Sequence, residues 1–279
     1  AQWVDEYHWL RQRESEQVLD HLRAENTYTE RVLEPLEPLI ETLYQEIKTR
    51  RKETDASVPV RFGPWEYYTR VVEGLEHPIF CRRPARSDPA FETTEQVLLD
   101  VNALSEDGRP VFLGAFKVAF DHRTLAYSLD EDGSERFTLR FKDLTHDTLL
   151  EERIANTADA VAWAPDGRSL FYVELDETRR PFRVRRHTLG TDPRTDPVVL
   201  EEPDGRFFVH VETLRSRRFV AIAVESKTSS EVWLAGAEAP EAPLTCVAPR
   251  REGVEYEVDH HGEWIYVIAN DGAVNFELR

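Results

Sequence analysis

A strand, turn and strand phrase that returns at near-constant spacing is the strongest constraint on how this chain can fold. In residues 116–144, FKVAFDHRTLAYSLDEDGSERFTLRFKDL, the apolar positions Val118, Phe120, Leu125, Tyr127 and Leu129 alternate with polar or small ones. Phe137, Leu139 and Phe141 do so again after Asp132-Gly133. A period of two puts one side of each run in a core, so the stretch reads as three short strands joined by two tight turns. The phrase Asp121-His122-Arg123-Thr124-Leu125-Ala126-Tyr127 falls on Asp166-Gly167-Arg168-Ser169-Leu170-Phe171-Tyr172, and more loosely on residues 216–222 and 261–267. Leu125, Leu170, Val220 and Ile265 then recur at intervals of 45, 50 and 45 residues.

Several strands in each copy of such a repeat point to radially arranged four-stranded blades. A β-sandwich also has short alternating strands, but nothing in a sandwich requires one phrase to return at constant spacing. The expectation is a mainly β protein: an incomplete β-propeller over residues 63–279, about four and a half four-stranded blades, behind an α-helical N-terminal arm over residues 1–62. Blade one takes strands near 65–72, 78–83 and 96–101. Blades two, three and four occupy about 111–154, 158–203 and 206–249, the fourth closing on the strand 231–235. Blade five starts near Val254 and lacks its outer strand.

The first fifty residues lack this alternation. Val18, Leu19 and Leu22 predict an amphipathic helix over 15–25. Val32, Leu36, Leu39, Ile40, Leu43 and Ile47 predict a second over about 29–52, which Pro35 and Pro38 bend or delay. Trp3, Tyr7, Trp9 and Leu10 form an aromatic cluster ahead of both. That cluster needs a surface, either on this chain's own propeller or, as we expect, on a second domain. Residues 53–64, with two prolines and a glycine, read as a linker or a turn into sheet.

With 53 acidic against 35 basic residues the formal charge is −18, which argues against nucleic acid or anionic membrane as a partner. The charge suits plain solubility or, alternatively, attraction of cationic ligands. Cys81 and Cys246 have no CxxC or metal spacing and read as buried small hydrophobes. No apolar run approaches the length of a membrane span. The location expected is cytoplasmic, with the periplasm as the alternative. A chain without a single methionine is expected to start at an internal cut.

Motifs that carry chemistry are absent. There is no G-x-S-x-G elbow, no G-x-G-x-x-G, no phosphate-binding GK[ST] loop and no HExxH. His260 and His261 beside Asp259 are adjacent in an extended segment, so their side chains diverge, and they read as a solvent-facing turn rather than a metal site. Asp130-Glu131-Asp132-Gly133 reads as a plain hairpin loop rather than a Ca²⁺ loop. No residue is assigned as catalytic, cofactor-binding or metal-ligating, and no cofactor is expected.

Beyond these readings, the phrases DEYHWLRQRE (5–14), HLRAENTYTE (21–30), ETLYQEIKTRRKETDASVPVRFGPWEYYTR (41–70), GLEHPIFCRR (74–83), VLLDVNAL (97–104), residues 113–144, RVRRHTLGT (183–191) and EYEVDHHGEWIYVIAN (255–270) together resemble the amino-terminal part of the oligopeptidase B group, in the prolyl oligopeptidase family of serine peptidases. The resemblance runs over essentially the whole chain. It implies a two-domain enzyme in which a seven-bladed, unclosed propeller covers the active site of an α/β-hydrolase domain. The resemblance further implies that only short peptides are admitted and that cleavage follows Arg or Lys. The helical arm would belong with the hydrolase domain, and the Ser, Asp and His triad would lie beyond Arg279, so this chain alone is expected to be inactive. The other function class left open is a stand-alone propeller that binds a peptide or protein. Under the first reading the last blade leaves an apolar face without a neighbour and frays after about Gly253.

Overall fold

The computed structural model describes residues 4–85, 94–105 and 110–279, and Trp3 of the aromatic cluster lies outside them. Contacts divide the chain into two units: one runs up to Ala56 and includes Val71–Gly74, the other holds Ser57–Arg70 and Leu75–Arg279.

In the first unit Ser15 caps helix α1 (Glu16–Leu33), its hydroxyl accepting the N–H of Val18 at 3.4 Å. The helix does not stop at Glu25 as expected. Asn26–Thr29 contains no breaker, so the helix runs on to the residue before Glu34-Pro35, where a 3-10 turn (Glu34–Leu36) interrupts it. Helix α2 (Glu37–Thr49) then begins with Pro38 in its first turn, the one place where a missing N–H costs nothing. Trp9 packs edge-on against His21 with ring centroids 5.4 Å apart. Leu36, Leu39, Ile40, Leu43, Tyr44 and Ile47 are all exposed, so the apolar stripe read from the sequence faces outward. The unit ends on the short strand β1 (Asp55–Ala56).

In the second unit, residues 53–64 yield more than a linker: strand β2 (Val60–Phe62) forms a hairpin with β3 (Trp65–Val71), which is followed by β4 (Ile79–Pro84) and β5 (Gln96–Asp100). Blade two contains β6 (Phe112–Val118), β7 (Thr124–Asp130) and β8 (Phe137–Asp143). The break expected between blades two and three does not occur, because β9 (Thr148–Trp163) runs through as one strand, pairing first with β8 and then with β10 (Ser169–Leu175). The corner is Asn156, whose φ of 60° re-aims the strand. Asn tolerates that conformation better than most residues, and its amide donates to the Leu175 carbonyl at 2.7 Å. Blade three continues with β11 (Pro181–Thr188) and β12 (Val198–Glu201). Blade four is β13 (Phe208–Thr213), β14 (Phe219–Glu225), β15 (Ser230–Gly236) and β16 (Thr245–Ala248), so it closes on Thr245–Ala248 and not on the strand over 231–235. Blade five has three strands, β17 (Tyr256–His261), β18 (Trp264–Ala269) and β19 (Glu277–Leu278).

The apolar faces meet between successive blades. Leu98 and Leu99 pack with Leu125, Tyr127 and Leu129; Leu139 and Phe141 with Trp163 and Tyr172; Phe171 and Val173 with Val209, Val211 and Ile222; and Val232 and Leu234 with Tyr256 and Ala269. On blade five Val267 joins the last of these clusters, whereas Trp264, Tyr266 and Ile268 on the other face are exposed. One glycine is fixed by close approach. A Cβ on Gly114 would lie 2.7 Å from both the Phe137 ring and the Ser128 hydroxyl, and that hydroxyl accepts the Ala115 N–H at 2.8 Å. Gly114→Ala is expected to destabilise this unit by about 1–3 kcal/mol, read by urea unfolding, because the neighbours are packed on both sides. An unchanged midpoint would show that blade two yields more than its packing implies.

Candidate functional site

The innermost strands bring residues far apart in sequence around one cavity of about 390 Å³. Phe62 and Tyr67 come from blade one, Phe116, Lys117 and Phe120 from blade two, Trp163 from blade three and Glu212 from blade four. Trp163 holds these strands in register: its indole N–H donates to the Lys117 carbonyl at 2.9 Å, and its own carbonyl accepts the Thr213 hydroxyl at 2.9 Å. A larger cleft of about 780 Å³ lies between loops of blades three to five. Part of its charged wall is engaged in ion pairs, Arg206 with Asp204 and Arg250 with Glu202 and Glu231, while Glu225 and Lys227 also line it.

At one end of the inner cavity sit the turns between first and second strands, the repeated phrase of the sequence. His122, Gly167, Arg217 and Gly262 occupy equivalent positions and all have positive φ, between 61 and 67°. Arg82 stacks over Trp65 with its guanidinium carbon 3.9 Å from the ring centroid, and donates to the His122 carbonyl at 2.6 Å and to the Tyr67 hydroxyl at 3.5 Å. The Tyr67 hydroxyl in turn shares a hydrogen bond with Nδ1 of His122 at 2.8 Å. Burial first, then the charges of Arg82 and Arg217, hold the His122 pKa below its ordinary value against the pull of Asp121. The His122 ring meets Phe62 edge-on at 4.5 Å, and the Arg217 guanidinium lies 4.4 Å from the Phe62 centroid. Each such cation–π contact contributes about 0.5–1 kcal/mol at an exposed site.

One carboxylate, Glu212, lines the inner cavity, while Glu225 at the other end of blade four lines the larger cleft. Crowding by the surrounding protein raises the Glu225 carboxyl; His210 opposes this, and Glu257, Glu212 and Glu255 raise it further. A carboxyl crowded by like charges in this way favours a cation nearby.

Other residues singled out in the sequence fall elsewhere. His260 and His261 lie on β17 and not in a turn; His260 is buried edge-on against Phe219 at 4.9 Å while His261 is exposed, so the two do diverge. Asp130 folds its own hairpin loop, its carboxylate accepting the N–H groups of Asp132, Gly133, Ser134 and Glu135. Cys81 is buried as expected, but Cys246 on the outer strand β16 is only half-buried, and both are free thiols. Among the described residues no group of three His, Cys, Asp or Glu side chains has metal-binding geometry. One arrangement had no signal in the sequence: His187 lies between Asp196 and Glu152, 9 and 35 residues away, with no exposed surface through which a substrate could reach it.

Blades of this form with packed interfaces define a β-propeller, here with a helical arm. The family model described as prolyl oligopeptidase, N-terminal beta-propeller domain, matches residues 1–279, and the chain belongs to that family. It is 40% identical over 295 residues to dipeptidyl aminopeptidase BI of Pseudoxanthomonas mexicana, covering 100% of this chain and 40% of that protein. It is 33% identical to protease 2 of Moraxella lacunata, covering 98% of this chain and 40% of the relative. The structure of oligopeptidase B from Leishmania major superposes with a TM-score of 0.89 at 30% identity, covering 98% of this chain and 39% of that one. Oligopeptidase B from Trypanosoma brucei, in a closed form with covalently bound antipain, gives 0.88 at 31% identity, covering 99% and 39%. The chain thus spans about 40% of the length of the curated relatives it matches.

Proposed function

We propose that this chain is the substrate-gating propeller region of a serine oligopeptidase that cleaves short peptides after Arg or Lys, acting with an α/β-hydrolase domain on the same polypeptide. The observation that carries this reading is the family match from end to end in a chain about 40% as long as its relatives. Glu212 on the wall of the inner cavity supports the preference for basic peptides, since a carboxylate there attracts a cationic side chain. The exposed stripe of α2 and the open face of Trp264, Tyr266 and Ile268 are apolar surfaces of the kind that a further domain and a further blade would cover. Two free thiols fit a reducing, cytoplasmic location, and among the described residues no helix is long and apolar enough to cross a membrane.

The full-length gene product is expected to hydrolyse short peptides with Arg or Lys before the cleaved bond and to spare those with Leu there, while residues 1–279 alone show no turnover. A gene that reads two more blades and then stops would replace the peptidase with a peptide-binding propeller.

A further inference from the structure

Two of the four inner turns carry residues that their backbone does not favour. Gly167 and Gly262 suit the left-handed position, yet blades two and four place His122 and Arg217 there, each at φ 61°. A strained non-glycine residue persists where its side chain has a use. Both side chains here meet Phe62, and the Arg217 guanidinium also lies 5.2 Å from the Phe120 centroid. Phe62 and Phe120 line the inner cavity from blades one and two, so one side chain from blade four reaches across to both.

The direction of the strands says which mouth this is. Each inner strand runs toward these turns, and the antiparallel order returns every fourth strand to the other end. The chain therefore passes from blade to blade at the far end, and the mouth carrying Arg217 is the opposite one.

We propose that Arg217 is the bolt of this mouth: laid across Phe62 and Phe120, it narrows the entrance to the inner cavity and sets the size of peptide that passes. The inference rests on the reading of the cavity as a peptide route. A guanidinium held on two rings at an exposed site lifts readily, and the aromatic seat it leaves suits the cationic side chain of an incoming peptide.

Arg217→Gly tests this, because it supplies the residue that blades three and five already use and so keeps the turn while removing the bolt. The reporter is Val118→Cys on the cavity wall of the intact protein, with Cys246→Ser; Cys81 stays silent because burial pushes its thiol up to about 11. Labelling by a bulky maleimide is expected to run about three- to fivefold faster in Arg217→Gly than with Arg217 present, the factor that corresponds to one exposed cation–π contact. Arg217→Lys should fall between, and iodoacetamide should label all three alike. Equal maleimide rates in proteins of equal melting temperature overturn the bolt, whether or not the protein is a peptidase. Hydrolysis of paired long and short peptides with one Arg is a separate measurement: Arg217→Gly should raise kcat/KM for the long one alone. Absence of all hydrolysis would reject the peptidase reading and leave the labelling result to decide the bolt.

Discussion

Replacing His187 with alanine is expected to lower the stability of the propeller unit by about 3–5 kcal/mol, the range seen when one partner of a buried ion pair is removed. His187 is fully buried on β11, stacked on Phe141 with centroids 5.6 Å apart. Its Nδ1 donates to Asp196 at 3.0 Å and its Nε2 to Glu152 at 3.2 Å. Among the described residues the Asp196 carboxylate, 2% exposed, has one further side-chain donor, the Tyr172 hydroxyl at 3.1 Å. Without the imidazole that buried charge keeps a single neutral partner. Burial by itself lowers the His187 pKa, but the bonds to Asp196 and Glu152 outweigh it, and the pKa stands above its ordinary 6.5. A raised folded pKa means that the protonated form is the one the fold favours. Its contribution is fully present below about pH 6.5 and is lost as pH rises through the folded value. The gap between native protein and His187→Ala, measured by urea unfolding, should therefore narrow as pH rises above 6.5. A gap below 1 kcal/mol, or one that widens with pH, would show that His187 is neutral and contributes by packing alone.

Asp130→Ala is expected to cost about 1–3 kcal/mol, because one carboxylate satisfies four backbone donors and its loss strands them in a tight loop. The N–H groups of Asp132, Gly133 and Ser134 reach Oδ1 at 3.0, 2.9 and 3.3 Å, and that of Glu135 reaches Oδ2 at 2.8 Å. Glu135 has a φ of 61°, so the carboxylate also holds a strained residue in place. Burial raises this carboxyl, yet the N–H groups of Asp132, Glu135 and Gly133 bring it below its ordinary 3.8. A depressed folded pKa gives stability that is present above about 3.8 and lost as pH falls through the folded value. Hydrogen exchange should show the β7–β8 hairpin opening first in the variant, and uniform protection across blades two and three would contradict the assignment.

The sequence by itself determined the blade as a unit. Strand alternation and turn chemistry are local, so residues 116–144 announced β7, β8 and their hairpin, and the return of that phrase announced the propeller. Local signals also placed the helical arm, but not the point of its interruption: a 3.6-residue period cannot tell a gap at Asn26–Thr29 from continuous helix, whereas Pro35 and Pro38 lack the N–H that continuation needs. What the tertiary structure decided lies between blades. A single strand serves both blade two and blade three because Asn156 bends without breaking the ladder, and no pattern within residues 148–163 marks that corner in advance. The candidate site is of the same kind. Phe62, Phe120 and Arg217 meet over separations of 58 and 97 residues, a distance set by how blades stack around an axis and not by the period of any strand. Even the turn phrase that repeated so clearly hid its exception, since the positive φ that makes glycine natural at positions 167 and 262 is visible at 122 and 217 only once the backbone is folded.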